Sequence, residues 1–274
     1  TAELAATRSA AVAAAVAAGR DVTRALVAKG IAFGSLTAHA NGTVDTSGVE
    51  GVDADLVVRP FHQKGVVVSL REFTNNAVNH HHGMQSSERF GAGLDPDGDG
   101  RSDELTVGDI TAMTLFQATL PAPVAVRHDD YARSGAVRRG EAAFTAIGCA
   151  VCHVPTLRLL DPVFREPNPY NPAGNLRPAD VGVAVAVDLT KFGPGPRLRR
   201  EADGSVSVPV YTDFKRHDMG PTLDTEHLVQ AGVPTRMWLT KKLWGFASEP
   251  PFLHHGRATT ITEAILWHGG EGQA

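Results

Sequence analysis

The stretch "IGCAVCHVP", Ile147 to Pro155, holds both cysteines of a 274-residue chain. Two thiols three residues apart have three common uses: a redox dithiol, half of a zinc site, or attachment of haem. A thioredoxin-type dithiol sits in a βαβ pattern, and none precedes this one. A structural zinc site built mainly from thiolates needs more cysteines than the chain owns. His153, directly behind Cys152, completes C-x-x-C-H, the haem c attachment signature. Chemistry sets that spacing. Cys149 and Cys152, one helical turn apart, can add to the two vinyl groups of one porphyrin, and the adjacent imidazole then reaches the iron from the proximal side.

Upstream, "SGAVRRGEAAFTAIG" from Ser134 places Val137, Gly140, Phe144 and Ile147 at helical spacing, and Gly148 is a natural stop. G-x-x-x-F before C-x-x-C-H resembles the first helix of the cytochrome c fold. Downstream, Val154 to Tyr211 is rich in Pro, Gly and charge and reads as a long irregular loop with one short strand, "VGVAVAV" (Val181 to Val187). In the tail "LWGFASEPPFLHHGRATTITEAILWHGGEG", Thr260 and Glu263 form a capping box that opens a helix. Ile261, Ala264, Ile265 and His268 then share one face. On an arbitrary helix a histidine ending an apolar stripe is a satisfied core residue or a surface one. A haem needs a second axial group or an open site, so His268 is preferred as the distal ligand, giving bis-His iron. Met219, in "RHDMGPTL", is the rival, and a His/Met pair would raise the potential.

Composition bounds the rest. The formal charge is −4 with a pI near 6.3, which argues against nucleic acid as a partner. No apolar run is long enough to span a membrane. "AAVAAAVAAG" (Ala10 to Gly19) lacks a basic run before it and reads as part of an Ala-rich helix over about Ala2 to Lys29. Haem c is made outside the cytoplasm, so a periplasmic or cell-surface location is expected, with any export signal upstream of this chain. Twelve histidines direct attention to metal chemistry.

"GCAVCHVPTL", "HDMGPTL", "KLWGFASEPPFLHHGRATTITEAILWHGGEG" and "RPFHQKGVVVSLREF" together resemble the bacterial di-haem oxidoreductases related to di-haem cytochrome c peroxidase. The resemblance implies that "PFLHHG" (Pro251 to Gly256) precedes the helix delivering the axial ligand of the C-terminal haem, at His268. By the same analogy, His254 and Arg257 lie near the haem edge, towards the propionates; otherwise they read as a solvated loop end. The three tryptophans, Trp238, Trp244 and Trp267, are electron relays in such a scheme or plain packing residues.

Two segments echo each other at an offset of 191 residues. "FHQKGVVVSLREF" from Phe61 aligns with "FLHHGRATTITEA" from Phe252, matching Gly65 with Gly256, Ser69 with Thr260 and Glu72 with Glu263. The expected fold is mainly α, with cytochrome c-like haem domains, long irregular loops and little strand. Residues 1–130 form a partial N-terminal cytochrome c-like domain, and 131–274 a C-terminal cytochrome c domain, truncated at its end. The first domain's attachment motif is not in this chain, so a second haem is expected upstream, the alternative being a true loss of the first haem. In the peroxidases the helix after the first echo supplies an acid/base carboxylate. Here "NHHHGMQ" offers His81, with His80 and His82 as substitutes; a histidine run at a helix end is otherwise stabilised by the helix dipole.

"DPDGDGRSDE" (Asp95 to Glu104) opens like a calcium loop. Asp95, Asp97 and Asp99, with the Arg101 carbonyl, suit Ca2+ geometry. Thr106 stands at position 12, so Asp103, Glu104 or Asp109 must close the shell. The plain alternative is a solvated acidic turn. The functional expectation is an oxidoreductase in which this chain's bis-His haem passes electrons to a second haem that reduces peroxide or a related oxidant. The donor would be a small redox protein, in a homodimer or larger redox complex. The rivals are a non-enzymatic electron-transfer cytochrome c and a maturation-type enzyme oxidising a partner protein.

Overall fold

The computed structural model describes residues 1–124, 129–245 and 248–273. In chain order the elements are α1 (Ala2–Ala18), β1 (Val22–Ala28), β2 (Ile31–Ala38), β3 (Val44–Asp45), α2 (Leu70–His82), α3 (Ser87–Phe90), α4 (Val107–Ala118), α5 (Tyr131–Ala146), α6 (Cys149–Cys152), β4 (Leu157–Leu159), β5 (Val163–Glu166), β6 (Val185–Asp188), β7 (Val206–Val208), β8 (Arg216–Asp218), β9 (Met237–Leu239) and α7 (Ile261–Leu266). Helix accounts for 31% and strand for 17%, with several small antiparallel sheets, so the mainly α, cytochrome c-like expectation is overturned. The region read as an irregular loop instead forms two strand pairs, β4 with β7 and β5 with β6. Strands of three or four residues are too short to show alternation in sequence, and their partners lie 19 or more positions away.

The chain divides into two compact units, each assembled from separate segments. Residues 1–66, 125–157 and 209–274 make the first, and 67–124 with 158–208 make the second.

In the first unit the Ala-rich helix ends earlier than its composition suggested. Gly19 takes the left-handed conformation (φ 62°) and closes α1, and Val22 and Thr23 then begin a strand. β1 and β2 form a hairpin across Lys29 and Gly30, both at positive φ, as a two-residue turn matching the strand twist requires. Leu4, Ala11 and Ala15 on one face of α1 pack on Leu26, Phe33, Leu36 and Ala38. Small alanines let the helix lie close to the sheet. Leu4, Leu26, Phe33 and Leu36 are each nearly or fully buried, worth about 2 kcal/mol apiece.

In the second unit α2 packs on α4, whose start is closed by a complete Thr106–Asp109 capping box. The fully buried Arg71 lies between Glu88 (2.9 Å) and Glu166 (2.9 Å), both nearly buried. Asn75 donates to Asn175, and Ser86 donates to Asn75. This second unit is held by a buried polar network as much as by apolar packing.

Candidate functional site

Cys149 and Cys152 lie on α6, a single helical turn that starts at Gly148 (φ 91°). Both thiols are half-buried and free of any disulfide. The chain leaving the motif is pinned to residues 211–212: Tyr211 N donates to the Pro155 carbonyl and Thr212 N to that of Val154. This register brings the Tyr211 carbonyl to His153 Nδ1 at 3.0 Å. Phe144, on the last turn of α5, packs against both the His153 and Tyr211 rings.

His268 follows α7, whose start is fixed by Thr260 and Glu263: Glu263 N donates to Thr260 Oγ1, and Thr260 N donates to Glu263 Oε2. Its Nδ1 is 2.8 Å from the Ala264 carbonyl one turn earlier. Both imidazoles therefore engage a backbone carbonyl through Nδ1, a tautomer in which Nε2 is the nitrogen able to ligate a metal. The two ring centroids lie 6.5 Å apart. Two metal–imidazole bonds of about 2 Å, with half a ring added at each end, require a separation of about 6 Å. Burial lowers the His153 pKa; the Tyr211 hydrogen bond opposes that shift and nearby His268 adds to it. A neutral ring is the ligating form.

The donor set fits a haem. Two free thiols stand on one turn, two imidazoles are held at ligand spacing, and apolar side chains around them are left in solvent. Ile147 (68% exposed), Val151 (76%), Ile265 (59%) and Leu266 (77%) all flank the motif or the His268 helix, and α5 buries no residue. An apolar macrocycle would supply the packing partner that these side chains lack.

Met219 and His268 both border Gly272. A β-carbon placed on Gly272 would lie 3.0 Å from Met219 Cε and 3.2 Å from His268 Cβ. The motifs "HDMG" and "WHGGEG" are in fact one assembly. Glu271 accepts from Asp218 N through Oε1 and holds His217 Nδ1 through Oε2 at 2.7 Å, while His217 Nε2 meets Asp213 at 2.8 Å. Gly269 approaches Met219 and Thr222 so closely that a β-carbon would fall 2.6 Å from Thr222 Oγ1. Cys152, Asp213 and His217 have their polar atoms within 4.8 Å of one another. Burial opposes the charge on His217, but Asp213, Cys152 and Glu271 together raise its pKa to about 10.

Other predicted residues fall elsewhere. His254 Nε2 is 2.6 Å from Glu226, and the Arg257 guanidinium lies over the Trp267 ring at 5.0 Å. Trp238 and Trp244 donate their indole N–H groups to the carbonyls of Leu223 and Pro209. His80, His81 and His82 form the exposed last turn of α2, in the second unit. Asp95, Asp97 and Asp99 bring their carboxylates together at the surface of that unit, each accepting a backbone N–H of its own loop. The expected closers are engaged outside that cluster: Asp103 takes Gly93 N, Glu104 takes Gln85 N, and Asp109 caps α4. Arg101 donates its N–H to Asp99. Sequence reasoning missed Tyr211, His217, Glu226, His255 and Glu271. The density of charge and histidine in "RHDMG" and "HHG" hinted at His217 and His255, while no local signal singled out Tyr211, Glu226 or Glu271.

Residues 200–274 match the family described as "Di-haem oxidoreductase, putative peroxidase". The matched segment carries Met219 and His268, and the match agrees with the resemblance read from the motifs. No curated protein and no solved structure matches the chain. Among the described residues, no helix is long and apolar enough to cross a membrane.

Proposed function

We propose that this chain carries a haem c attached through Cys149 and Cys152, with His153 and His268 as axial ligands, and serves as the electron-transfer centre of a di-haem, peroxidase-like oxidoreductase. The two neighbouring imidazoles carry the reading: rings 6.5 Å apart and tilted by 56°, each tied through Nδ1 to a carbonyl. Bound there, the group supplies one-electron redox chemistry. The protein's part is to orient both imidazoles, to shield them with Phe144 and the apolar residues around the motif, and to hold a positive charge at His217 beside Cys152.

With His153 and His268 both holding the group on this chain, a second haem outside it would supply the chemistry that reduces peroxide or a related oxidant. A small redox protein is the proposed electron donor, in the periplasm or at the cell surface. His81, flanked by His80 and His82, is the proposed proton source for that reaction. A calcium ion held by Asp95, Asp97 and Asp99 is a separate proposal, supported by their convergence. A melting temperature that rises with Ca2+, and no longer does in Asp97→Asn, is the expected result; no response in the parent protein would remove the ion from the account.

The same fully met axial positions favour a second reading, a non-enzymatic electron carrier. Peroxide-dependent oxidation of a reduced dye by the full-length protein separates the two. Turnover that disappears when the histidine triplet is replaced by alanines supports the enzyme. Reversible redox cycling without peroxide reactivity supports the carrier.

A further inference from the structure

Within the first unit a second group of metal-ligating side chains uses neither His153 nor His268. Glu226 has only 7% of its side chain exposed, and its Oε1 is buried without a hydrogen-bond partner. Two imidazole nitrogens lie close to that oxygen: His254 Nε2 at 2.6 Å and His255 Nε2 at 3.5 Å. Neither contact has the direction of a hydrogen bond, although both are close. Two adjacent histidines normally diverge. Here Leu253 (φ 61°) and His255 (φ 60°) both adopt left-handed backbone, which turns both rings to one side with centroids 3.7 Å apart. Such conformations persist in non-glycine residues only where surrounding structure demands them.

We propose that Glu226, His254 and His255 bind a zinc-class divalent cation. Their three donor atoms lie within 4.8 Å of one another, and an ion with bonds of about 2 Å draws its ligands to about 3–4 Å apart. Two imidazoles and one carboxylate suit zinc among biological divalent ions and leave a fourth position for water. The cation would satisfy the orphaned Glu226 oxygen. The surroundings already order two of the ligands: Gln230 Nε2 donates to Glu226 Oε2, and the Trp238 ring backs His254 at 5.2 Å. Lys64, whose ammonium sits 3.3 Å over that ring, donates to the Met237 carbonyl and keeps Trp238 in place. The ion would fix the segment that leads into α7 and His268. The proposal stands on its own residues and does not depend on the haem.

Equilibrium dialysis of the full-length holoprotein against Zn2+, with zinc and iron counted in the same samples, tests it. Two competing sites are removed in separate backgrounds: one with Asp95, Asp97 and Asp99 changed to Asn, the other with His80, His81 and His82 changed to Ala. The expected result is one zinc per chain in both backgrounds, bound at least tenfold more weakly in Glu226→Gln and in the His254→Ala/His255→Ala double variant. In the unmutated protein, Zn2+ should also protect His254 and His255 from imidazole-modifying reagents, a readout that needs no variant to fold. Zinc binding that survives Glu226→Gln, or that is lost with the histidine triplet, would overturn the proposal. The iron count reports on the haem reading separately.

Discussion

At His217 two carboxylates meet one imidazole, with Asp213 on Nε2 and Glu271 on Nδ1. Burial alone would favour the neutral ring; the two carboxylates, with Cys152 close by, hold it charged up to about pH 10. The folded pKa is raised above the unfolded value of 6.5. The stabilisation is therefore fully present below about pH 6.5 and is lost as pH rises through about 10. Denaturant midpoints measured from pH 6 to 10.5 should fall across this window in the parent protein and fall less in His217→Gln; an identical slope in both would contradict the assignment. At this scale the proposed haem donors could be named from sequence because their signals are local: C-x-x-C-H is contiguous, and His268 stands seven positions after Ile261 on one helical face. Glu226 and His255 were not. Their convergence depends on left-handed backbone at Leu253 and His255, a conformation that side-chain type does not announce.

The elements show which local signals survive tertiary context. The two echoing segments keep their likeness in the backbone. His62 and Leu253 have φ of 60° and 61°, Gly65 and Gly256 have 60° and 65°, and each segment ends in an N-capped helix. In the first copy Glu72 reaches Val68 N, and in the second Glu263 reaches Thr259 N, both at 2.7 Å. Caps and turns of this sort are written within four residues and so are readable. The short strand pairs are not, because each needs a distant partner. Nor is the charge cluster joining α2, α3 and β5, whose members span residues 71–166. Removing Arg71 would leave Glu88 and Glu166 buried and uncompensated. Burial already raises the Glu166 pKa, with Arg71 opposing. Arg71→Ala should lower stability by about 3–5 kcal/mol in denaturant titrations, whereas a loss under about 1 kcal/mol would mean that solvent reaches the site.

Across the whole molecule, the apolar core sits under α1 and the first hairpin, while the elements bearing the cysteines and His268 leave theirs exposed. The distribution explains why the motifs pointed to cytochrome c-like helices and missed the sheets: the helices beside C-x-x-C-H and before His268 carry the recognisable motifs, and most of the buried apolar cluster lies outside them. A macrocycle at Cys149 and Cys152, as proposed, would complete the packing of the first unit. Low-temperature EPR of the ferric full-length protein, run with a haem stain on a denaturing gel, tests this most directly. The prediction is haem that remains on the chain after denaturation and a low-spin signal of bis-imidazole iron that turns high-spin in His268→Ala. An unstained chain, or a low-spin signal that His268→Ala leaves unchanged, would contradict it.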